Sequence, residues 1–427
     1  MAVIMLLIAL LLLSIGIPVA FVFGGAALAA ALLSPDLGLE AFNVLPFRIY
    51  GIMSNGTLMA VPLFILMGLL LERSGTAEKL LIAMTSLFGS LKGGLAVSVV
   101  LVGTVLAATM GIVSASVVMM SLIALPLMVR AGYSKELSGG TIAASGTLGQ
   151  IIPPSVILII LGDVMNIGVG ELFMGAVLPG LLLVALYIVY ILVIAHLKPQ
   201  SAPALHEDHR SGNLQSLLWA ITPMLVLMIV VLGSIFAGVA SPGESAAFGV
   251  VGAVVLSAFN KTIGKEMLIQ SLAETLKLSG MIFMILIGAT AFSLVFNELG
   301  GTDQVIEFFG NHVDSVWTFI AIAMAIVFVL GFFIDFIEIS FIIVPILVPV
   351  MHAYGIDPLW FAILLAMNLQ TSFLTPPFGL SLFFVKGAAG NLLSSAQIYR
   401  GIIPFVLLQI LALGLVMLFP DLVFAFV

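Results

Sequence analysis

Apolar residues fill this chain in long blocks, and polar positions fall between the blocks instead of alternating within them. At about 20 apolar residues per crossing, such blocks predict membrane-spanning helices. In the first half, 1–195, they predict spans over about 3–18 and 20–34, an interfacial segment over 40–53 and a span over 57–72. A polar-faced segment over 72–88 follows, then an uncharged apolar run over 93–130, a broken span over 135–165 and a full span over 171–195. A polar connector over 196–216 comes next. The second half, 217–427, repeats the order: spans over 217–238 and 244–259, an interfacial stretch over 261–277, a span over 279–297 and a polar-faced segment over 300–314. It closes with a long run over 315–353, a broken span over 358–389 and a last span over 401–419. Order repeated at this scale predicts an all-α polytopic membrane protein built from two repeats.

The breaks are the unusual elements. Ser145-Gly-Thr-Leu-Gly-Gln-Ile-Ile-Pro-Pro-Ser155 and Gln370-Thr-Ser-Phe-Leu-Thr-Pro-Pro-Phe-Gly379 each place hydroxyls and glycine around a Pro-Pro pair inside an apolar block. Proline lacks the N–H that a helix needs and pushes its predecessor out of the helical region, so both spans should unwind there. Opened backbone in hydrocarbon costs several kcal/mol per unsatisfied group, and it persists only where it is buried or lines a polar cavity. Matched breaks in two halves point to a transporter's binding site.

Charge sets the expected orientation. Lys92, Arg130 and Lys135 flank the first long run; Glu298, Asp303, Glu307, Asp314 and Asp357 flank the second, with no Lys or Arg. Basic residues stay on the cytoplasmic side. The ends of the first run should therefore face the cytoplasm and those of the second should face outward. About 36 residues barely suffice for two crossings, so each run is read as a re-entrant hairpin, with two ordinary spans and a tight turn as the alternative. Gly111, Ser114 and Ser116 would form the first tip, and Gly331, Asp335 and Glu338 the second. Lys198, Arg210, Lys261, Lys265 and Arg400 all fall inside on this threading; only Arg48 falls outside.

Composition narrows the function classes. The 427 residues are 62% hydrophobic and 8% charged, which leaves little for a soluble domain. The 13 Lys and Arg are scattered singly, so no nucleic-acid surface forms. With no cysteine, thiol chemistry and disulfides are excluded. His206, Glu207, Asp208 and His209 could be drawn as a metal cluster but lie in the polar connector. No phosphate-binding Gly-rich loop with Lys is visible. Met1 to Leu33 lacks a basic leader and is read as a retained first pair of spans, with Ala27-Leu-Ala-Ala30 as helix-packing residues.

Candidate chemistry gathers at breaks and tips. Frayed carbonyls, hydroxyls and the negative ends of half-helices suit sodium, while half-helix N-termini suit a carboxylate substrate. The substrate candidates are Ser114, Ser116, Ser145, Thr147, Gln150, Asp335, Gln370 and Thr371. For any single hydroxyl or for Gln150, hydrogen bonding between helices is the competing role. Asp335 and Glu338 are the acids well inside an apolar run; they could bind the cation, take up a proton or orient the tip, or one could face water.

At these residues the chain resembles the large membrane subunit of tripartite ATP-independent periplasmic (TRAP) transporters, within the ion transporter superfamily. The resemblance spans essentially the whole chain. Its markers are Val61-Pro-Leu-Phe-Ile-Leu-Met-Gly68, Arg130-Ala-Gly-Tyr133, Ser145-Gly-Thr-Leu-Gly149 with Ile152-Pro-Pro-Ser155, Gly331-Phe-Phe-Ile-Asp335 with Val344-Pro-Ile-Leu-Val-Pro349, and Thr375-Pro-Pro-Phe-Gly379. It implies inverted repeats, a scaffold with an elevator transport domain, and sodium as the coupling ion. It also implies a small four-span membrane subunit, a periplasmic binding protein that delivers a small carboxylate, and a bacterial inner-membrane location. Carried over by position, one sodium site would use Ala107, Met110, Gly149, Ile152 and Pro154, and the other Gly331, Ser372, Thr375 and Phe378. Where many relatives carry Ser-Gly-Ser at the first tip, this chain reads Met110-Gly-Ile112, which keeps backbone ligands and removes hydroxyl ones. Gln150 and the segment 370–379 look closer to branches associated with keto acids, sugar alcohols or aromatic acids than to sialic acid or four-carbon dicarboxylate branches.

The expected function is a sodium-coupled secondary importer, not an enzyme. A stand-alone sodium or proton symporter, an intramembrane enzyme using Asp335 and Glu338, and a passive channel are the alternatives.

Overall fold

The structure, a computed structural model, describes residues 1–35, 37–110, 113–205, 214–376 and 379–427, apart from the side chains of Ser14, Ala107, Thr109, Met110, Leu214 and Ser216. The described residues are helical, joined by turns and short 3-10 segments. The first half runs α1 (Ala2–Ser14), α2 (Val19–Leu33), α3 (Leu45–Met53), α4 (Ala60–Arg73), α5 (Thr76–Phe88), α6 (Gly94–Met110), α7 (Val113–Arg130), α8 (Lys135–Thr147), α9 (Val156–Met165) and α10 (Val169–Leu197). The second runs α11 (Leu214–Phe236), α12 (Pro242–Phe259), α13 (Lys265–Glu298), α14 (Gly301–His312), α15 (Val316–Leu330), α16 (Phe336–Ala353), α17 (Pro358–Leu374), α18 (Leu380–Ala389), α19 (Ser395–Leu418) and α20 (Asp421–Phe424).

Seven of these helices are long and apolar enough to cross a membrane alone, and α4 with α5, bent by 60°, makes an eighth candidate. Apart from α1 and α2, the shorter apolar helices belong to consecutive pairs: α8 with α9, α17 with α18, α6 with α7, α15 with α16. Large apolar side chains such as Leu7, Phe21, Trp219, Ile229, Val251, Leu407 and Leu411 are exposed, as a lipid-facing surface requires. The chain is a multi-pass membrane protein.

The two halves exchange packing partners. Helix α2 packs on α13 and α12 on α4; α8 packs on α19 and α17 on α10. The second piece of each broken helix lies against the second arm of the other half's long run, α9 on α16 and α18 on α7. Turn chemistry matches as well. Gly132 (φ +80°) and Gly355 (φ +67°) adopt the left-handed region after each long run. Two residues later Ser134 accepts from Leu137 N at 3.2 Å and Asp357 from Trp360 N at 3.0 Å, capping α8 and α17.

The broken helices occupy the centre. Every residue of α8 from Leu137 to Thr147, and of α17 from Leu359 to Leu374, is buried. For α8 that burial comes from small residues, which let neighbouring backbones approach. A Cβ on Gly140 would collide with the Gly401 carbonyl, and one on Gly401 with the Glu136 carbonyl, so α8 and α19 cross backbone to backbone. Helix α17 is instead held by polar ties: Trp360 Nε1 donates to Val416 O at 3.0 Å and Asn368 Nδ2 to Met324 O at 2.7 Å.

One expectation is corrected. The interfacial stretch over 261–277 and the span over 279–297 are not separate; residues 265–298 form the single helix α13. No proline interrupts them, and Lys265, Glu266, Glu274 and Lys277 lie within the helix instead of ending it. Its counterpart is interrupted because Asn55 Oδ1 accepts from Thr57 N at 2.9 Å and Leu58 N at 3.4 Å, a side-chain turn between α3 and α4. Arg73, at the end of α4, pairs with Glu274 at 2.5 Å and donates to Ser271 at 3.1 Å on α13.

Candidate functional site

Each break follows from which carbonyls the prolines deprive of a donor. In a helix the carbonyl of residue i accepts from the N–H of residue i+4. Pro153 and Pro154 therefore strand the carbonyls of Gly149 and Gln150, and Pro376 and Pro377 strand those of Ser372 and Phe373. The second stranded carbonyl is rescued the same way in both halves. Ser155 Oγ donates to Gln150 O at 2.7 Å, and Ser381 Oγ donates to Phe373 O at 2.9 Å. Both serines are fully buried. Of the first pair, Ser372 O accepts from Thr375 N at 3.1 Å, while the chain past Gly149 tightens through Ile151 N and Ile152 N, both donating to Leu148 O.

The hydroxyls around the breaks mostly donate to their own helix. Ser145 Oγ donates to Ile142 O (3.2 Å), Thr147 Oγ1 to Ala144 O (2.9 Å), Thr371 Oγ1 to Met367 O (2.8 Å), Ser372 Oγ to Leu369 O (2.8 Å) and Thr375 Oγ1 to Thr371 O (2.7 Å). A hydroxyl that spends its proton this way presents only lone pairs to its other side, and lone pairs are what a hard cation needs. Gln150 and Gln370 differ. Both side chains are buried, and neither amide nitrogen nor oxygen of either has a partner. A buried amide with nothing to bond costs roughly 1–3 kcal/mol, so these two groups are the strongest local sign of a bound polar molecule.

The long runs meet the breaks closely. A Cβ on Gly103 of α6 would fall 2.7 Å from Ser145 Cβ, and one on Gly146 would fall 2.9 Å from Val117 Cα on α7, so α8 lies in a groove between both arms. In the second half a Cβ on Gly331 would fall 2.7 Å from Ser372 Cβ and collide with its Oγ. Gly331 has φ −64°, so close approach, not backbone conformation, demands glycine there. Of the residues assigned to sodium by position, Gly149, Ile152, Pro154, Gly331, Ser372 and Thr375 are described. Phe378 lies outside the described residues, as do the tip residue Gly111 and His206 to His209. The backbones of Ala107 and Met110 end α6. The oxygen-only donor set with a stranded carbonyl at Gly149 fits sodium.

The two long runs converge on one cavity of about 120 Å³. Val113 and Ser114 open onto it from the start of α7, and Asp335, Phe336 and Ile337 from the start of α16. Val156 lines it just past the first break, and Phe373, Leu380 and Phe384 on either side of the second. Ile65 of α4 and Leu278, Met281 and Ile282 of α13 close the opposite wall. The space is largely apolar with two polar groups from different halves. Asp335 Oδ1 accepts from Phe336 N at 2.6 Å, which fixes the carboxyl at the mouth of α16. Ser116, two residues after Ser114, is buried inside α7. The apolar walls, Phe336, Phe373 and Phe384 above all, escaped the sequence reading because nothing local separates a cavity-lining Phe from a lipid-facing one.

A larger cavity of about 430 Å³ lies away from both breaks, where α9, α10, α11 and α12 end or begin, and includes Thr57, Asp163 and Asn166. Asn55 Nδ2 donates to Asp163 Oδ1 at 2.5 Å, tying the turn before α4 to the end of α9.

Comparison with known proteins gives this geometry its family. The family model described as "Tripartite ATP-independent periplasmic transporter, DctM component" matches residues 4–422. The C4-dicarboxylate TRAP transporter large permease protein DctM of Pseudomonas aeruginosa is 29% identical over 399 residues, covering 92% of this chain and 90% of that protein. The sialic acid TRAP transporter large permease protein SiaM of Vibrio cholerae is 29% identical, covering 95% of this chain and 93% of that one. Among solved structures, the YdaH transporter of Alcanivorax borkumensis superposes with a TM-score of 0.66 at 14% identity, covering 99% of both chains, a likeness of fold. The chain belongs to the DctM family, the large permease component of tripartite ATP-independent periplasmic transporters, and is a transport protein, not an enzyme.

Proposed function

We propose that this permease is a sodium-coupled secondary importer of a small organic acid, working by an elevator motion in the bacterial inner membrane. The observation that carries the reading is the 120 Å³ cavity, lined by Ser114 and Asp335 from the starts of α7 and α16 together with residues next to both proline breaks. A body made of α6–α9 and α15–α18 would move, and α2, α4, α12 and α13, which pack among themselves, would form the scaffold. The cavity sits between the two, with Ile65, Leu278 and Ile282 as the scaffold wall. Substrate would reach Ser114, Gln150 and Gln370, while sodium would lie at Gly149, Ile152 and Pro154 and at Gly331, Ser372 and Thr375.

Related permeases are named for C4-dicarboxylate and sialic acid, both acids, which supports an organic acid here. Family membership supports two partners, a small membrane subunit against the exposed apolar scaffold and a periplasmic binding protein. Each net positive charge carried inward is worth about 2.3 kcal/mol per 100 mV, so sodium in excess over substrate charge drives accumulation without ATP. The test is uptake by the subunits reconstituted in liposomes, using the ligand found on the cognate binding protein. Uptake should require external sodium and rise with an inside-negative potential; uptake indifferent to both overturns the proposal.

A further inference from the structure

Asp335 and Glu338 stand three residues apart at the start of α16. Asp335 already takes the first free N–H of the helix, from Phe336. Glu338 is only 7% exposed and its Oε2 has no hydrogen-bond partner. A helix N-terminus carries about half an elementary charge, less than one carboxylate and far less than two. Two carboxylates sharing one buried site cannot both ionise at ordinary cost.

Among the described residues no Lys, Arg or His forms an ion pair with either carboxylate. The helices packed against α16 are α9, α13, α14, α15 and α17. Their titratable groups are Asp163 on α9; Lys265, Glu266, Glu274, Lys277 and Glu298 on α13; and Asp303, Glu307 and His312 on α14. None lies on α15 or within α17, which Asp357 caps, and His352 is at the far end of α16. A hard cation takes about six oxygen ligands, whereas one free carboxylate oxygen is satisfied by a single proton.

We propose that the Asp335–Glu338 pair binds one proton at neutral pH, held on Glu338, and that α15–α16 carries it as a coupling ion additional to sodium. The proton comes from water on one face and returns to water on the other, with Glu338 passing from carboxylate to neutral acid and back. Only the coupling step rests on the elevator reading; the protonation does not.

Infrared spectroscopy of the purified full-length chain in lipid nanodiscs tests it directly. The wild type should show a protonated-carboxyl stretch at neutral pH that disappears in alkali. Glu338→Gln should lose that band, and Asp335→Asn, which removes the neighbouring charge but keeps an acceptor for Phe336 N–H, should move its midpoint down by about one pH unit or more. Absence of the band from the wild type at neutral pH overturns the proposal even if Glu338→Gln fails to fold; so does a band that survives Glu338→Gln, or a midpoint untouched by Asp335→Asn. For the coupling step, wild-type proteoliposomes holding a pH-sensitive dye should acidify as the binding protein's ligand enters, and no acidification overturns it. Thermal stabilisation by sodium, read on the nanodisc samples, reports sodium binding separately.

Discussion

Replacing Gly331 with alanine should separate packing from ion binding at the second break. The new Cβ would stand 2.7 Å from Ser372 Cβ and collide with Oγ, and Ser372 is pinned by its bond to Leu369 O at 2.8 Å. Overpacking a close contact of this kind costs about 1–3 kcal/mol. Ser372→Gly alone should cost about 1 kcal/mol, the usual penalty of glycine inside a helix. Combined, the two changes remove the collision, so the double mutant should recover most of the stability that Gly331→Ala loses instead of adding the two costs. Sodium binding should not recover, because the Ser372 hydroxyl is gone. A ligand at a hundred times its dissociation constant stabilises the folded state by about 2.7 kcal/mol, so thermal unfolding with and without saturating sodium reads that loss against potassium controls. Additive costs in the double mutant would refute the contact. A full sodium increment in both Gly331→Ala and the double mutant would refute Gly331 and Ser372 as ligands.

Further substitutions probe the two breaks and the turn at Asn55. Ser155→Ala and Ser381→Ala should each destabilise the protein by about 1–2 kcal/mol by stranding the carbonyls of Gln150 and Phe373, and Ser155→Thr should retain most of the stability; equal loss in Ala and Thr variants would argue against the hydroxyl. Gln150→Leu and Gln370→Leu should leave stability unchanged or raised, since each removes unpartnered buried amide atoms, while uptake falls at least about tenfold; lower stability with normal uptake would assign both to packing. Asn55→Ala should cost about 1–3 kcal/mol by removing the bond to Asp163, and Asn55→Asp more, by placing two carboxylates together; unchanged melting in both would dismiss that tie.

The architecture was legible wherever one residue dictates backbone. Two Pro-Pro pairs locate the breaks because proline has no N–H, and Gly132 and Gly355 mark the turns ahead of the broken helices. The resemblance groups Gly331 with Ser372, and the two lie side by side. What depends on distant residues was not legible. Asn55 and Asp163 are 108 positions apart, and nothing near either announces the other. Charges in 265–277 suggest a boundary in the sequence, yet they interrupt no helix. The serine rescue was within reach: a stranded carbonyl at Phe373 demands a donor, and Ser381 is a hydroxyl soon after the break.

Side-specific labelling of single cysteines is the most direct test, and a chain with no cysteine of its own gives a clean background. Lys92, Arg130, Asp314 and Ala353 sit exposed at the ends of the two long runs. With each replaced by cysteine in intact cells, an impermeant thiol reagent should reach positions 314 and 353 from outside, and positions 92 and 130 only after permeabilisation. Labelling of all four from one face, or of 314 and 353 from opposite faces, would contradict an inverted repeat and the carrier built on it.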